Sequence, residues 1–162
     1  MEGLEFTEMT LKDLDNVLAI EHLSFPTPWS RRSFVSELTE NIYAHYVVVK
    51  QEGKVVAYSG MWVIVDEAHI TNIAVHPHYR RRGIGEMLMK EMLERAKSHG
   101  ALRMTLEVRV SNKTAQDLYI RLGFIATGIR RGYYSDTGED ATVMWLNDLG
   151  PGRVVDEGVR YE

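Results

Sequence analysis

HPHYRRRGIG, residues 76–85, sets three adjacent arginines directly before two glycines that flank an isoleucine. Upstream stands EAHITNIAV, rich in β-branched residues and ended by His76-Pro77. Downstream, IGEMLMKEMLERAKSH carries Ile84, Leu88, Met92 and Leu93 on or near one helical face. The run therefore bridges a strand and a helix. Gly83 and Gly85 clear side chains from the first helical turn, where amide N–H groups have no intrahelical partner and an anion can approach closely. Arg80, Arg81 and Arg82 add charge and forked donors beside those amides. A single pyrophosphate suits this pattern better than a polynucleotide, and a flexible loop with a solvated charge run is the competing reading. The spacing is neither the G-x-x-x-x-G-K-S/T loop of nucleotide hydrolases nor the G-x-G-x-x-G dinucleotide fingerprint.

The whole chain narrows the choice. Its 162 residues, 44% of them apolar, suffice for one domain, expected over 1–149, with a flexible tail at 150–162. The formal net charge of -4 makes the arginine run a local feature, whereas a non-specific nucleic-acid binder needs a wider positive footprint. Cysteine is absent, which excludes a disulfide scaffold, a cysteine nucleophile and thiolate metal sites. MEGLEFTEMT carries acids where a secretory leader is basic, and no apolar run reaches membrane-spanning length. A cytoplasmic protein with no membrane or nucleic-acid requirement is expected.

Working outward, the period changes along the chain. Leu4 and Phe6 alternate as in a short strand, then Leu11, Leu14, Val17 and Leu18 recur at helical spacing behind Thr10, a candidate N-cap with Asp13 three places on. FPTPWS breaks that helix, and SRRSFVSELTE starts another. YAHYVVVK and KVVAYSGMWVIV, joined through QEG, read as antiparallel strands. LRMTLEVRV reads as a strand, SNKTAQDLYIRLGF as a helix stopping at Gly123, and FIATGIR and ATVMWLN as closing strands around a polar turn. The class is α+β.

NIAVHPHYRRRGIGEMLM, residues 72–89, resembles the acetyl-coenzyme A motif of the GCN5-related N-acetyltransferases. That motif's core, Arg/Gln-x-x-Gly-x-Gly/Ala, falls on Arg80, Gly83 and Gly85. LEVRVSNKTAQDLYIRLGF resembles the second half of the family fold, and GIRRGYYSDTGEDATVMWL its closing strands. FPTPWS, taken with the LEVR to LGF series, resembles the members that acetylate the N-terminal alanine of a small-subunit ribosomal protein, number eighteen. The resemblance implies an α/β/α sandwich around a mixed, mostly antiparallel sheet that splays between its fourth and fifth strands. It also implies acetyl-coenzyme A as cosubstrate without a metal, direct attack in a ternary complex, and the N-terminal segment of a ribosomal protein as partner. A monomer is expected. The rival acceptors are other protein N-termini, lysine side chains or small amines, and the rival class is a non-catalytic acyl-coenzyme A-binding module.

The same resemblance assigns residues. Ile73, Ala74 and Val75 would meet the pantetheine arm; Arg80, Arg81, Arg82, Gly83, Ile84 and Gly85 would wrap the pyrophosphate; the Val75 amide is a candidate oxyanion donor. Asn112 is either a cofactor contact or simply a helix N-cap. Glu107, polar inside an apolar strand, is a surface glutamate on one reading and the general base on the other, its proton affinity raised by partial burial. Tyr119 is either core packing or the acid that protonates the leaving thiolate, since a phenol keeps its proton near neutral pH. Phe25, Pro26 and Trp29 form an acceptor wall or pack the first helix; Asp66, Glu67, Glu37 and Glu40 attract a basic peptide or are solvated. Tyr133 and Tyr134 would bind the acceptor amine or backbone. His69 has a minor water-chain role or merely packs, and His76 and His78 lack a third metal ligand.

Overall fold

Each change of hydrophobic period becomes an element in the computed structural model, which describes residues 3–150. The tail expected to be flexible lies, from residue 151 on, outside the described residues. Strands β1 (Leu4–Glu8), β2 (Ala44–Gln51), β3 (Lys54–Ile64), β4 (Glu67–Val75), β5 (Arg103–Arg109), β6 (Ile125–Tyr134) and β7 (Glu139–Leu146) form a seven-stranded sheet ordered β1-β2-β3-β4-β5-β7-β6. Helices α1 (Leu14–Ser24), α2 (Arg31–Thr39), α3 (Ile84–Ser98) and α4 (Lys113–Arg121) complete the α+β fold. The sheet is mixed and mostly antiparallel. Its parallel pair is β4 with β5, registered at Glu67↔Arg103, Ala68↔Met104 and His69↔Thr105. Among the described residues that ladder is registered as far as His69.

Local chemistry explains the boundaries. Asp13 accepts the Thr10 N–H at 2.9 Å, closing a capping box with aspartate in the place glutamate usually holds. Ser30 caps α2 by accepting the Ser33 N–H at 3.1 Å. Gly100, at φ 92°, ends α3 with the paired bonds Gly100 N–H to Lys97 and Ala101 N–H to Ala96 that mark a Schellman stop. Both closing strands run further into the polar turn than their apolar patterns suggest, so Tyr133 and Tyr134 lie within β6.

Two compact units make up the described chain. In the first, residues 3–62 and 71–95, Leu14, Val17 and Ile20 of α1 and Phe34 of α2 form a core with Tyr46, Val48, Val55, Tyr58 and Ala74 of β2–β4. Each such side chain taken fully out of water contributes about 1.5–3 kcal/mol. Gly60 is obligatory there: a Cβ would fall 2.1 Å from the Tyr46 ring. The second unit, residues 63–70 and 96–150, is built on the strict alternation of β5. Met104, Leu106 and Val108 point inward, leaving Arg103, Thr105, Glu107 and Arg109 on the other face. Gln116 of α4 donates to the carbonyls of Arg109 and Val110 at 3.0 and 3.1 Å, tying that helix to the end of β5.

Candidate active site

The arginine-glycine run forms the entry to α3. Pro77–Tyr79 makes one 3-10 turn, Arg81 takes φ 64°, and Gly83 takes φ 79° just before Ile84 begins the helix. A non-glycine residue in the left-handed region is uncommon and marks a tightly specified turn. A Cβ at Gly83 would meet nothing within 4 Å, so the approach to the α3 amides is open, as an anion cradle requires. The three arginines differ in use. Arg80 donates through Nε to the Val75 carbonyl at 3.0 Å and through Nη2 to Ser24 at 3.3 Å, bracing the end of β4. Arg82 lies over the Tyr79 ring, 5.1 Å from its centroid. Ile84 is 1% exposed, so its side chain belongs to the core.

In the second unit, β5 and β4 bring Glu107 and His69 together. His69 Nε2 donates to Glu107 Oε1 at 2.7 Å, and the Tyr133 hydroxyl donates to the same oxygen at 3.4 Å. Arg130 Nε stands 3.7 Å from Oε2. The Glu107 side chain is only 7% exposed against 35% for His69. Burial pushes the carboxyl up, but the His69 hydrogen bond and charge, the Arg130 charge and the Tyr133 hydroxyl together bring it below the usual glutamate range. This corrects the expectation that burial raises its proton affinity: the donors gathered around the carboxylate outweigh desolvation.

Tyr119 sits on α4, buried, with its ring 5.9 Å from that of Phe124. Burial pushes its hydroxyl up to about 12, so it holds its proton throughout the neutral range. It also acts electrostatically on Tyr134, whose hydroxyl is pushed up by burial first and then by Tyr133, Glu107 and Tyr119, against the pull of Arg109. Tyr133 is likewise pushed up, by burial and by Glu107. The two tyrosine rings meet edge-on at 5.1 Å. Asn112 caps α4, accepting the Ala115 N–H at 3.1 Å, which realises the helix-cap reading of that residue.

The other acceptor-side candidates are occupied. Glu37 takes Tyr46 Oη at 2.8 Å and Trp62 Nε1 at 2.6 Å on one oxygen, and Asn41 Nδ2 at 2.8 Å on the other. Asp66 and Glu67 both face Arg103, at 2.9 and 3.4 Å. Phe25 and Trp29 pack against the core of the first unit; the Trp29 ring lies 5.2 Å from Phe34, and the Trp29 backbone N–H donates to the buried Glu21 at 2.8 Å. His76 Nδ1 accepts the His78 N–H at 3.1 Å, and among the described residues no group of three or more His, Cys, Asp or Glu is placed to hold a metal ion. Sequence reasoning passed over Arg109 and Arg130. The alternation of β5 placed Arg109 on the Glu107 face, but only the folded hairpin shows what it touches.

Comparison with known proteins identifies the family. Residues 14–124 match the model of the Acetyltransferase (GNAT) family. A Bacillus subtilis (strain 168) protein, provisionally named a ribosomal protein bS18-alanine N-acetyltransferase, is 49% identical over 85% of this chain and 91% of its own. The Escherichia coli (strain K12) protein named ribosomal protein bS18-alanine N-acetyltransferase is 39% identical over 83% of this chain and 90% of its own. The crystal structure of the E. coli ribosomal-protein-S18-alanine N-acetyltransferase superposes with a TM-score of 0.83 at 34% identity, covering 94% of this chain and 98% of that one.

Proposed function

The chain belongs to the acetyltransferase (GNAT) family, and from that premise we propose that it moves an acetyl group from acetyl-coenzyme A to the α-amine of an N-terminal alanine, that of ribosomal protein bS18. The observation that carries the reading is the Glu107 carboxylate, nearly buried yet held ionised by His69 at 2.7 Å and fronted by Tyr133. The names of the relatives support the acceptor.

Acetyl-coenzyme A supplies the acetyl group and a thiolate leaving group. The residues present fit such a ligand: the open Gly83 turn exposes the α3 amides to a pyrophosphate, with Arg81 and Arg82 supplying charge and Arg80 steadying the end of β4. The backbone of Ile73, Ala74 and Val75 offers edge hydrogen bonds to the pantetheine arm. The Gly85 amide completes this set.

Glu107 takes the proton from the incoming ammonium through water, leaving a neutral amine to attack. His69 keeps the carboxylate ionised and oriented, which favours a proton acceptor at neutral pH. Tyr119 then delivers a proton to the sulfur; a phenol held up to about 12 has the proton to give. The Val75 amide faces the developing oxyanion. Tyr133 and Tyr134 bind the acceptor's amine end and backbone. The enzyme works in the cytoplasm as a monomer, on residues 1–149.

The test is a peptide panel with acetyl-coenzyme A, read by mass spectrometry for the position of the acetyl group. Acetylation of the α-amine of the alanine-initiated bS18 peptide is expected. Modification confined to internal lysines or to small amines overturns the acceptor assignment, and binding of acetyl-coenzyme A without any transfer overturns the enzyme reading.

A further inference from the structure

We infer that Arg109 is a positioning residue for acceptor binding, latching the β6–β7 turn onto β5 and thereby holding Tyr133 and Tyr134 beside Glu107. The inference rests on the acceptor role proposed above for the two tyrosines. Arg109 follows Glu107 by two residues on β5, so strand alternation puts both on one face. Its guanidinium reaches Asp136 at 2.7 Å, Glu139 at 3.3 Å and the Thr137 hydroxyl at 3.3 Å, and lies 4.0 Å above the centre of the Tyr134 ring.

The hairpin needs such a latch. Between the pairs Arg130↔Ala141 and Tyr134↔Glu139, β6 advances four residues while β7 advances two. Tyr133 therefore sits on a stretch that the β-ladder does not register. Gly132, at φ 61°, is tied to Asp140 through its N–H at 2.8 Å, and beyond it Tyr133 is held by side-chain contacts: its ring meets Tyr134 edge-on and Arg130 at 5.8 Å, and its hydroxyl reaches Glu107 at 3.4 Å. Tyr134 in turn lies under Arg109.

The far side of the latch is itself anchored. Glu139 accepts the Ser111 N–H at 2.8 Å, and Asp136 accepts the Thr137 N–H at 2.8 Å. Side-chain exposure of 23% for Arg109 and 6% for Asp136 sets this pair apart from an open surface ion pair. A planar fork can span two carboxylates and stack on a ring at once, whereas a lysine ammonium in the same place meets one partner as a point charge. The geometry thus asks for arginine and not simply for a cation.

Arg109→Lys and Asp136→Asn test it, by steady-state kinetics on the alanine-initiated peptide together with coenzyme A affinity by calorimetry and Tm. Loss of a charge-assisted contact behind a binding group is expected to raise the acceptor KM about tenfold, with kcat changed less than about threefold and coenzyme A affinity unchanged. The double variant should be no worse than Arg109→Lys alone, because both changes open one latch. An unchanged acceptor KM in both single variants overturns the inference while leaving the enzyme reading intact. A joint fall in kcat, coenzyme A affinity and Tm makes Arg109 part of the general fold and overturns it too. A wild-type protein that acetylates no peptide of the panel overturns the acceptor reading and the latch with it.

Discussion

Glu21 in the first unit and Glu107 in the second are both carboxylates withdrawn from water, one 2% exposed and the other with a side chain 7% exposed. Their partners differ. Glu21 accepts the Trp29 N–H at 2.8 Å and the hydroxyl of the fully buried Tyr58, two neutral donors fixed in the core. Glu107 meets an imidazole that is one-third exposed, a phenol and an arginine. A carboxylate satisfied by neutral, immobile donors ties elements together, here the end of α1 to the segment that carries Trp29. One that faces titratable, half-exposed partners can exchange a proton with something arriving from solvent. Burial alone does not separate the two cases; the identity of the donors does.

The largest expected effect comes from Glu107→Gln, which keeps the shape and removes the proton acceptor. kcat/KM for the peptide should fall by about 10²–10⁴-fold, the usual contribution of general base catalysis, with Tm little changed. A loss of Tm in place of activity would make Glu107 a second Glu21. Glu21→Ala should do the reverse. By stranding the Tyr58 hydroxyl and the Trp29 N–H it should cost about 2–5 kcal/mol of stability in denaturant titration. Retained stability would remove the contrast.

Gly60→Ala probes the same core without touching a charge. The added Cβ must displace the Tyr46 ring, and a cost of about 1–3 kcal/mol is expected, again without a specific effect on kcat. The smallest effect is a displacement in pH. In Glu107 the folded carboxyl is depressed, so its ionised form persists as pH falls through the ordinary glutamate range. His69→Gln removes the first of the influences that lower it, so proton affinity rises and the acid limb of kcat/KM should move to higher pH. Movement to lower pH would make the imidazole the proton acceptor instead of its support. By the same sign, stability contributed by the depressed carboxyl is present above the unfolded glutamate value and lost as pH falls through the folded one.

Much was legible where the chemistry is local. The capping box at Thr10 and Asp13, the glycine stop at Gly100 and the strand-turn-helix around Gly83 each depend on residues a few places apart. Their backbone consequences do not wait for the rest of the fold. Side chains whose partners are distant were not legible. Glu37 looked like a free acid until Tyr46 and Trp62 were seen to consume it, and Asp66 and Glu67 until Arg103 did. Glu107 and His69 lie 38 residues apart, and no periodicity in either strand shows that the parallel register will set them together.

By itself, then, the sequence determined the α+β class and the glycine turn that opens α3, because glycine conformations, helix-end amides and alternation along a strand act over a few residues, and its resemblance to known motifs pointed to the family. Only the tertiary structure decided which donors surround Glu107, that its proton affinity is lowered instead of raised, and that Arg109 contacts Asp136, Glu139 and Tyr134 of the closing hairpin. Those outcomes depend on which donors converge on one oxygen, and strand pairing and hairpin closure alone bring such donors within 3 or 4 Å of each other.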